Sequence, residues 1–189
     1  MISYLNSKKI LKKGVLKIKD EKIKSENSLN RVASANIYSH INYPAGNNAA
    51  FDGFAINSKD TKNIKRNVTK KFKIIGSIAA GANPFQKRIK KFDAVEIMTG
   101  GIIPNGFDTI IPIEKIIFYP SKNNQKYILV NQSINKNNHV RFKGSDYKKK
   151  ELVLKKNTII QPNHILAFKT LGLKKISVKK KLNIFFFST

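Results

Sequence analysis

The sequence predicts an α+β fold that is mostly β. Between residues 53 and 131, short β-type runs follow one another, separated by Gly, Pro and Asn turns, while helical periodicity is confined to brief stretches towards the two ends. Hydrophobic residues make up 41% of the 189 residues and include 12 Phe, enough to fill a core. The absence of cysteine excludes a disulfide framework, a thiolate metal site and a cysteine nucleophile. No apolar run reaches the roughly 18 residues of a transmembrane helix. The start, MISYLNSKKILKKG, lacks the cleavage pattern of a signal peptide, so no membrane partner is expected and a cytoplasmic location is the default.

Taken in order, Ile2, Leu5, Ile10, Leu11 and Val15 recur among lysines at roughly helical spacing, interrupted by Gly14. Residues 28–37, SLNRVASANI, predict a second short helix running into an extended piece that ends at Pro44, since the residue before a proline is driven out of helical geometry. Strands are then predicted at Phe72–Ser77, Ala94–Met98, Thr109–Ile113, Ile116–Tyr119, Tyr127–Val130, His139–Phe142 and Leu152–Leu154. Pro162–Leu171 predicts a short helix stopped by Gly172. Lys181–Thr189 predicts a strongly apolar strand of the kind a doubly covered parallel sheet requires, and is expected to open a further α/β domain that the chain does not include. Left free, it is an aggregation hazard.

Lys+Arg total 37 against 11 acids, a formal charge of +26, which raises nucleic acid as a partner. Nucleic-acid readers favour Arg for its bidentate fork, yet only Arg31, Arg66, Arg88 and Arg141 occur here. The lysines are spread along the chain and accompany Asn, Ile and Phe, all encoded by A/T-rich codons. Compositional drift therefore accounts for the charge better than specific nucleic-acid binding.

Because acids are scarce, their positions are informative. Asp52 precedes Gly53, Asp108 and Glu114 flank a predicted strand beyond Thr99-Gly100-Gly101, and Asp146 follows Gly144-Ser145. Singly, each is equally a turn residue. Consecutive glycines free backbone amides to converge on an anion and Thr99 adds a hydroxyl, but no Gly-Lys-Ser/Thr completes a Walker loop. Carboxylates without cysteine or paired histidines favour Mg²⁺ over zinc. His40, His139 and His164 lack ligand-like spacing and read as ordinary histidines.

Together these pieces resemble a known order. Pro44 followed by Asn47-Asn48-Ala49-Ala50-Phe51-Asp52-Gly53-Phe54-Ala55 is similar to the Pro-x-Phe-Asp-Asn-Ser-Ala-Met-Asp-Gly-Tyr-Ala signature of the molybdopterin molybdenumtransferases, the family that includes the gephyrin E domain. Residues 94–114, AVEIMTGGIIPNGFDTIIPIE, resemble its Thr-Gly-Ala-x-Leu-Pro-x-Gly-Ala-Asp segment, residues 138–146 its Asn-Val/Ile-Arg-x-x-Gly-Glu-Asp, and Ile184–Thr189 the beginning of Val-Ala-Ile-x-Ser-Thr-Gly-Asp-Glu-Leu. Asn47 stands where the signature has Asp, Ala49 where it has Ser, Gly101 where it has Ala, and Ser145 where it has Glu.

The resemblance implies a transferase of molybdenum cofactor biosynthesis that inserts molybdenum from molybdate into adenylylated molybdopterin with Mg²⁺, downstream of a molybdopterin adenylyltransferase. It implies an elongated homodimer whose cleft combines two subunits. Residues 1–43 and 135–180 would form the dimerisation or linker domain, 44–134 an inserted β-rich domain, and 181–189 the start of a pterin-binding α/β domain. Asp52, Thr99 and Asp146 would be catalytic, Gly100, Gly101 and Arg141 would bind substrate, and Asp52, Asp108 and Glu114 would hold metal. A chain with only this half is expected to be inactive alone. The alternatives are a non-catalytic relative serving as a dimerisation module, suggested by Asn47 and Ala49, and a basic nucleic-acid-binding protein, suggested by charge alone.

Overall fold

The computed structural model describes residues 2–14, 17–62, 64, 68–83 and 85–185. In chain order its elements are α1 (Tyr4–Lys13), β1 (Asp20–Lys24), β2 (Ile37–Tyr38), β3 (Asn48–Ala49), β4 (Gly53–Ile56), β5 (Lys70–Ile78), β6 (Asp93–Ile97), β7 (Thr109–Pro112), β8 (Ile117–Ser121), β9 (Asn124–Val130), β10 (Val140–Arg141), β11 (Leu152–Leu154), α2 (Pro162–Thr170) and β12 (Lys175–Lys179). The fold is mostly β, as the turn-punctuated runs required. The strands predicted between Phe72 and Leu154 appear with their ends shifted by a few residues at most, because alternation marks a strand's middle better than its frayed ends.

The chain divides into two compact units, one built from residues 1–40 and 150–189, the other from residues 41–149. The β-rich unit is therefore an insertion, and its limits lie outside the expected 44 and 134. The cause is pairing. β10 runs antiparallel to β3, matching Val140 with Ala49 and Arg141 with Asn48. Tyr43 bridges Tyr147, which draws residues 41–43 and 135–149 into the insertion.

In the inserted unit a six-stranded sheet has the order β7-β4-β6-β5-β9-β8, antiparallel except for the parallel β5–β6 pair. All four residues of β4 are buried, since both faces of the sheet are covered there. Ala55, Val95, Ile97 and Ile110 pack with Ile78, Ile103 and Phe107 in one cluster; Phe54, Phe72, Ala94, Ile111 and Ile128 form another. Each fully buried Phe or Ile contributes about 1.5–3 kcal/mol. Gly53 is compulsory: a Cβ there would lie 2.0 Å from the Ile111 carbonyl oxygen of β7.

In the other unit β1 pairs with β12 and β2 with β11, around a cluster of Ala33, Ile37, Leu154, Ile160, Phe168, Ile176 and Val178. α2 begins at Pro162, which suits a first helical position because it has no amide to leave unpaired. His164 has a structural task here, its Nδ1 accepting the Gln161 amide at 3.0 Å.

Two further expectations are corrected. Residues 28–37 do not form a helix: Asn30 adopts a left-handed φ of 61°, and the amides of Asn30, Ala33 and Ser34 donate to Ile160, Thr158 and Ser177 rather than along a helix. Tertiary pairing overrides a weak local propensity. The strand expected over Lys181–Thr189 is absent from its described part, residues 181–185, because the β1–β12 ladder stops at the Asp20–Lys179 pair and leaves them no partner. Residues 186–189 lie outside the described residues, as does Val15 of the first helical pattern. The charged strand β1 was not anticipated, since Ile23 is its sole aliphatic residue.

Replacing Gly53 with Ala is expected to destabilise the fold by about 3 kcal/mol or more, because the obstacle is backbone that cannot swing aside. Urea unfolding of the two proteins measures this, and equal midpoints would refute the close approach.

Candidate functional site

The site is assembled by backbone pairing before any side chain acts. β3 lies between β10 and the Thr99–Gly101 turn: the Ala49 amide donates to the Gly101 carbonyl (3.0 Å), the Gly100 amide to the Ala49 carbonyl (2.9 Å), and the Ile103 amide to the Asn47 carbonyl (2.9 Å). Gly100 takes a φ of +83°, which an L side chain rarely adopts. A Cβ on Gly101 would press on Ile97 at 2.8 Å and on the Met98 carbonyl at 2.9 Å. The glycines thus let two loops interlock.

That interlock delivers Thr99 to Asp52. Both the Thr99 amide (2.6 Å) and its hydroxyl (2.7 Å) donate to Asp52 Oδ1. The Thr99 hydroxyl, then its amide, hold the Asp52 carboxyl below the ordinary 3.8, against a small opposing effect of desolvation. Asp52 is exposed, and among the described residues Oδ2 accepts no hydrogen bond. It is an oriented, ionised carboxylate on an exposed residue, held through one oxygen.

The Thr-Gly-Gly turn is consequently not the open anion cradle that its composition suggested. The Thr99 donors go to Asp52, the Gly100 amide to Ala49 and the Gly101 amide to Met98. Both Thr99 donors engage Asp52, and Gly100 and Gly101 permit the close backbone packing of the turn.

Arg141 and Asp146 are brought together as an ion pair between Nη2 and Oδ2. The Ser145 hydroxyl donates to Asp146 Oδ1 at 3.0 Å, and the Asp146 amide donates to the Tyr43 carbonyl at 3.1 Å. The guanidinium carbon lies 6.0 Å from the Tyr43 ring centroid. Asn47, where the family signature has Asp, fastens this turn by accepting the Lys143 amide on Oδ1 at 2.9 Å. The Arg141–Asp146 turn and the Asp52 loop therefore share the β3–β10 ladder as a common mount.

The expected metal set does not gather. Asp108 spends both carboxylate oxygens on Ser58, at 2.7 Å to its amide and 2.9 Å to its hydroxyl, so it caps a turn. Glu114 lies exposed in a 3-10 turn next to Ile113, whose amide donates to the Asp52 carbonyl. Among the described residues no three carboxylates or histidines come close enough to hold a metal ion. Sequence reasoning missed Ser58, Tyr43 and the edge-on contact of Phe51 with His139 at 4.8 Å, none of which carries a local signal.

Residues 2–172 match the family described as the MoeA N-terminal region, domains I and II. A molybdopterin molybdenumtransferase of Staphylococcus aureus (strain Mu50 / ATCC 700699) is 31% identical over 159 residues, which are 84% of this chain and 36% of the relative. One from Bacillus subtilis (strain 168) is 30% identical over 156 residues, 82% of this chain and 36% of its own length. The crystal structure of the molybdopterin biosynthesis moeA protein from Pyrococcus horikosii superposes with a TM-score of 0.81 at 27% identity, covering 92% of this chain and 43% of that one. The chain thus spans little more than a third of the length of these curated relatives.

The Asp52 carboxyl is expected to titrate with a midpoint below 3.8, and Thr99→Val to raise it by removing the first of its two causes. A folded pKa below the unfolded one stabilises the protein above the unfolded pKa, and that stability is lost as pH falls through the folded value. Carboxyl-carbon NMR across acid pH reads both proteins; identical midpoints would show that the Thr99 hydroxyl does not engage Asp52.

Proposed function

Because the chain belongs to the molybdopterin molybdenumtransferase family and corresponds to its N-terminal domains I and II, we propose that it supplies one wall of the site at which molybdenum from molybdate enters adenylylated molybdopterin. The observation that carries this reading is the Thr99–Asp52 pair, which keeps an exposed carboxylate ionised and oriented on a loop locked by glycines. Replacing oxygens on molybdate by dithiolene sulfurs moves protons, and an oriented carboxylate can accept one directly or through water. Arg141 and Asp146 form a second polar group on the same mount. Among the described residues no group of three acids or histidines gathers to hold a metal ion.

Several kcal/mol of such catalysis arise from holding both reactants in a near-attack geometry, and the chain spans little more than a third of the relatives' length. The transferase activity is accordingly proposed for the assembled site and not for these residues alone. A chimera joining this chain to the remaining length of the Staphylococcus aureus relative is the test. Asp52→Asn in that chimera is expected to lower cofactor formation from adenylylated molybdopterin and molybdate by about 100-fold or more, with unchanged circular dichroism. Full turnover by the mutant would overturn the role of Asp52.

A second part of the reading is self-association through α1. Ile2, Tyr4, Leu5, Ile10 and Leu11 are all exposed, and no residue of the helix is buried. An isolated helix this short is marginal in water, so its apolar residues need a partner surface, here a second copy of the chain. Sedimentation of the parent is expected to show a dimer, and Leu5→Asp with Leu11→Asp a monomer. Unchanged sedimentation of the double mutant would remove α1 from the interface.

A further inference from the structure

We propose that the open face formed by β5, β9 and β8 is a platform for single-stranded nucleic acid, bound without sequence preference. The strand register lays two rows across it, Lys71–Leu129–Ile117 and Lys73–Tyr127–Tyr119. The intervening residues Phe72, Ile128 and Phe118 point into the core, which leaves these rows on the opposite face. Ile117 is 58% exposed and Tyr119 40% exposed. The two tyrosine rings lie 6.4 Å apart, and the Lys71 ammonium rests 3.7 Å from the Tyr119 ring centroid.

Charge selects the class of occupant. Residues 70–78 and 117–130 contain no acid while carrying Lys70, Lys71, Lys73, Lys122 and Lys126. Of these, sheet pairing sets Lys71 and Lys73 in the two rows beside the tyrosines, whereas Lys70 turns to the other face, over the Phe92 ring. A polyanion is the complement, and one with flat π-faces uses the tyrosines as well as the charge. Duplex nucleic acid keeps its bases stacked internally, and an acidic peptide satisfies the lysines without engaging the rings. The outer edge of β8 is a poor template for an added strand because Pro120 has no amide to donate, which directs the occupant onto the face. Once a phosphate takes the Lys71 ammonium, the ring it covers becomes a stacking surface for a base.

Fluorescence anisotropy of the 189-residue chain with an oligothymidylate of about 12 nucleotides tests this. The single strand is expected to bind more tightly than a duplex of equal length or polyglutamate of equal charge. Tyr119→Ala is expected to weaken it by about 5- to 100-fold, with Tyr119→Phe restoring binding. Lys71→Gln is expected to reduce the slope of log affinity against log salt by about 0.7. Equal affinity for duplex or polyglutamate, or a Tyr119→Ala protein that binds like the parent, would overturn the proposal. Should that variant fail to fold, ring-proton shifts of Tyr119 and Tyr127 in the parent decide the matter: movement on adding oligothymidylate supports the platform, and stationary signals refute it.

Discussion

The inserted unit depends on a missing side chain. At Gly53 the backbone of β4 comes so close to the Ile111 carbonyl of β7 that a Cβ would sit 2.0 Å from that oxygen. This approach lets β4 lie between β7 and β6 with every residue buried. It also determines where Asp52 stands: at the first position outside the buried strand, where its chain must turn and its carboxylate meets solvent. Asp-Gly at this position is therefore one device. Glycine secures the strand and aspartate takes the exit.

Scarcity of acids proved to be a structural fact as much as a chemical one. Asp20 pairs with Lys179, Glu21 with Arg31, Glu26 with Lys169 and Asp146 with Arg141. Asp60, Asp93 and Asp108 accept backbone amides from Phe92, Lys90 and Ser58. Most carboxylates in a chain of formal charge +26 are thus engaged in holding turns or strands. Asp52 differs in that both of its partners are donors of one residue, Thr99, in the glycine turn, and that its side chain lies exposed. Orientation separates it from the rest, and no count of acids reveals orientation.

The departures from the family signature fit the same architecture. Asn47 retains an acceptor oxygen, and one acceptor is what the Lys143 amide needs, so loss of a formal charge leaves the fastening intact. Ala49 is 1% exposed within an aliphatic cluster, a place where a serine hydroxyl would require a partner. Neither change disturbs the ladder that mounts the Asp52 loop and the Arg141–Asp146 turn together. The altered loop is compatible with this scaffold.

Strand positions from Phe72 to Leu154, the α2 helix behind Pro162, and the Asp-Gly and Thr-Gly-Gly turns were legible in the sequence, because alternation, a proline start and glycine pairs are local signals. Asp52 and Asp146 stood out as scarce acids beside glycines, whereas Arg141 was a candidate only through the family resemblance. What tertiary structure alone decided was where each donor goes. Thr99 was read as an anion donor and became the clamp on Asp52; Asp108 was read as a metal ligand and became the cap on Ser58, 50 positions away in sequence. Residues 28–37 carried a weak helical pattern that yielded to partners at Thr158, Ile160 and Ser177. Local sequence sets which groups are available and which backbone shapes are cheap. The destination of a hydrogen bond depends on what the folded chain brings within about 3 Å, and that distance has no local code.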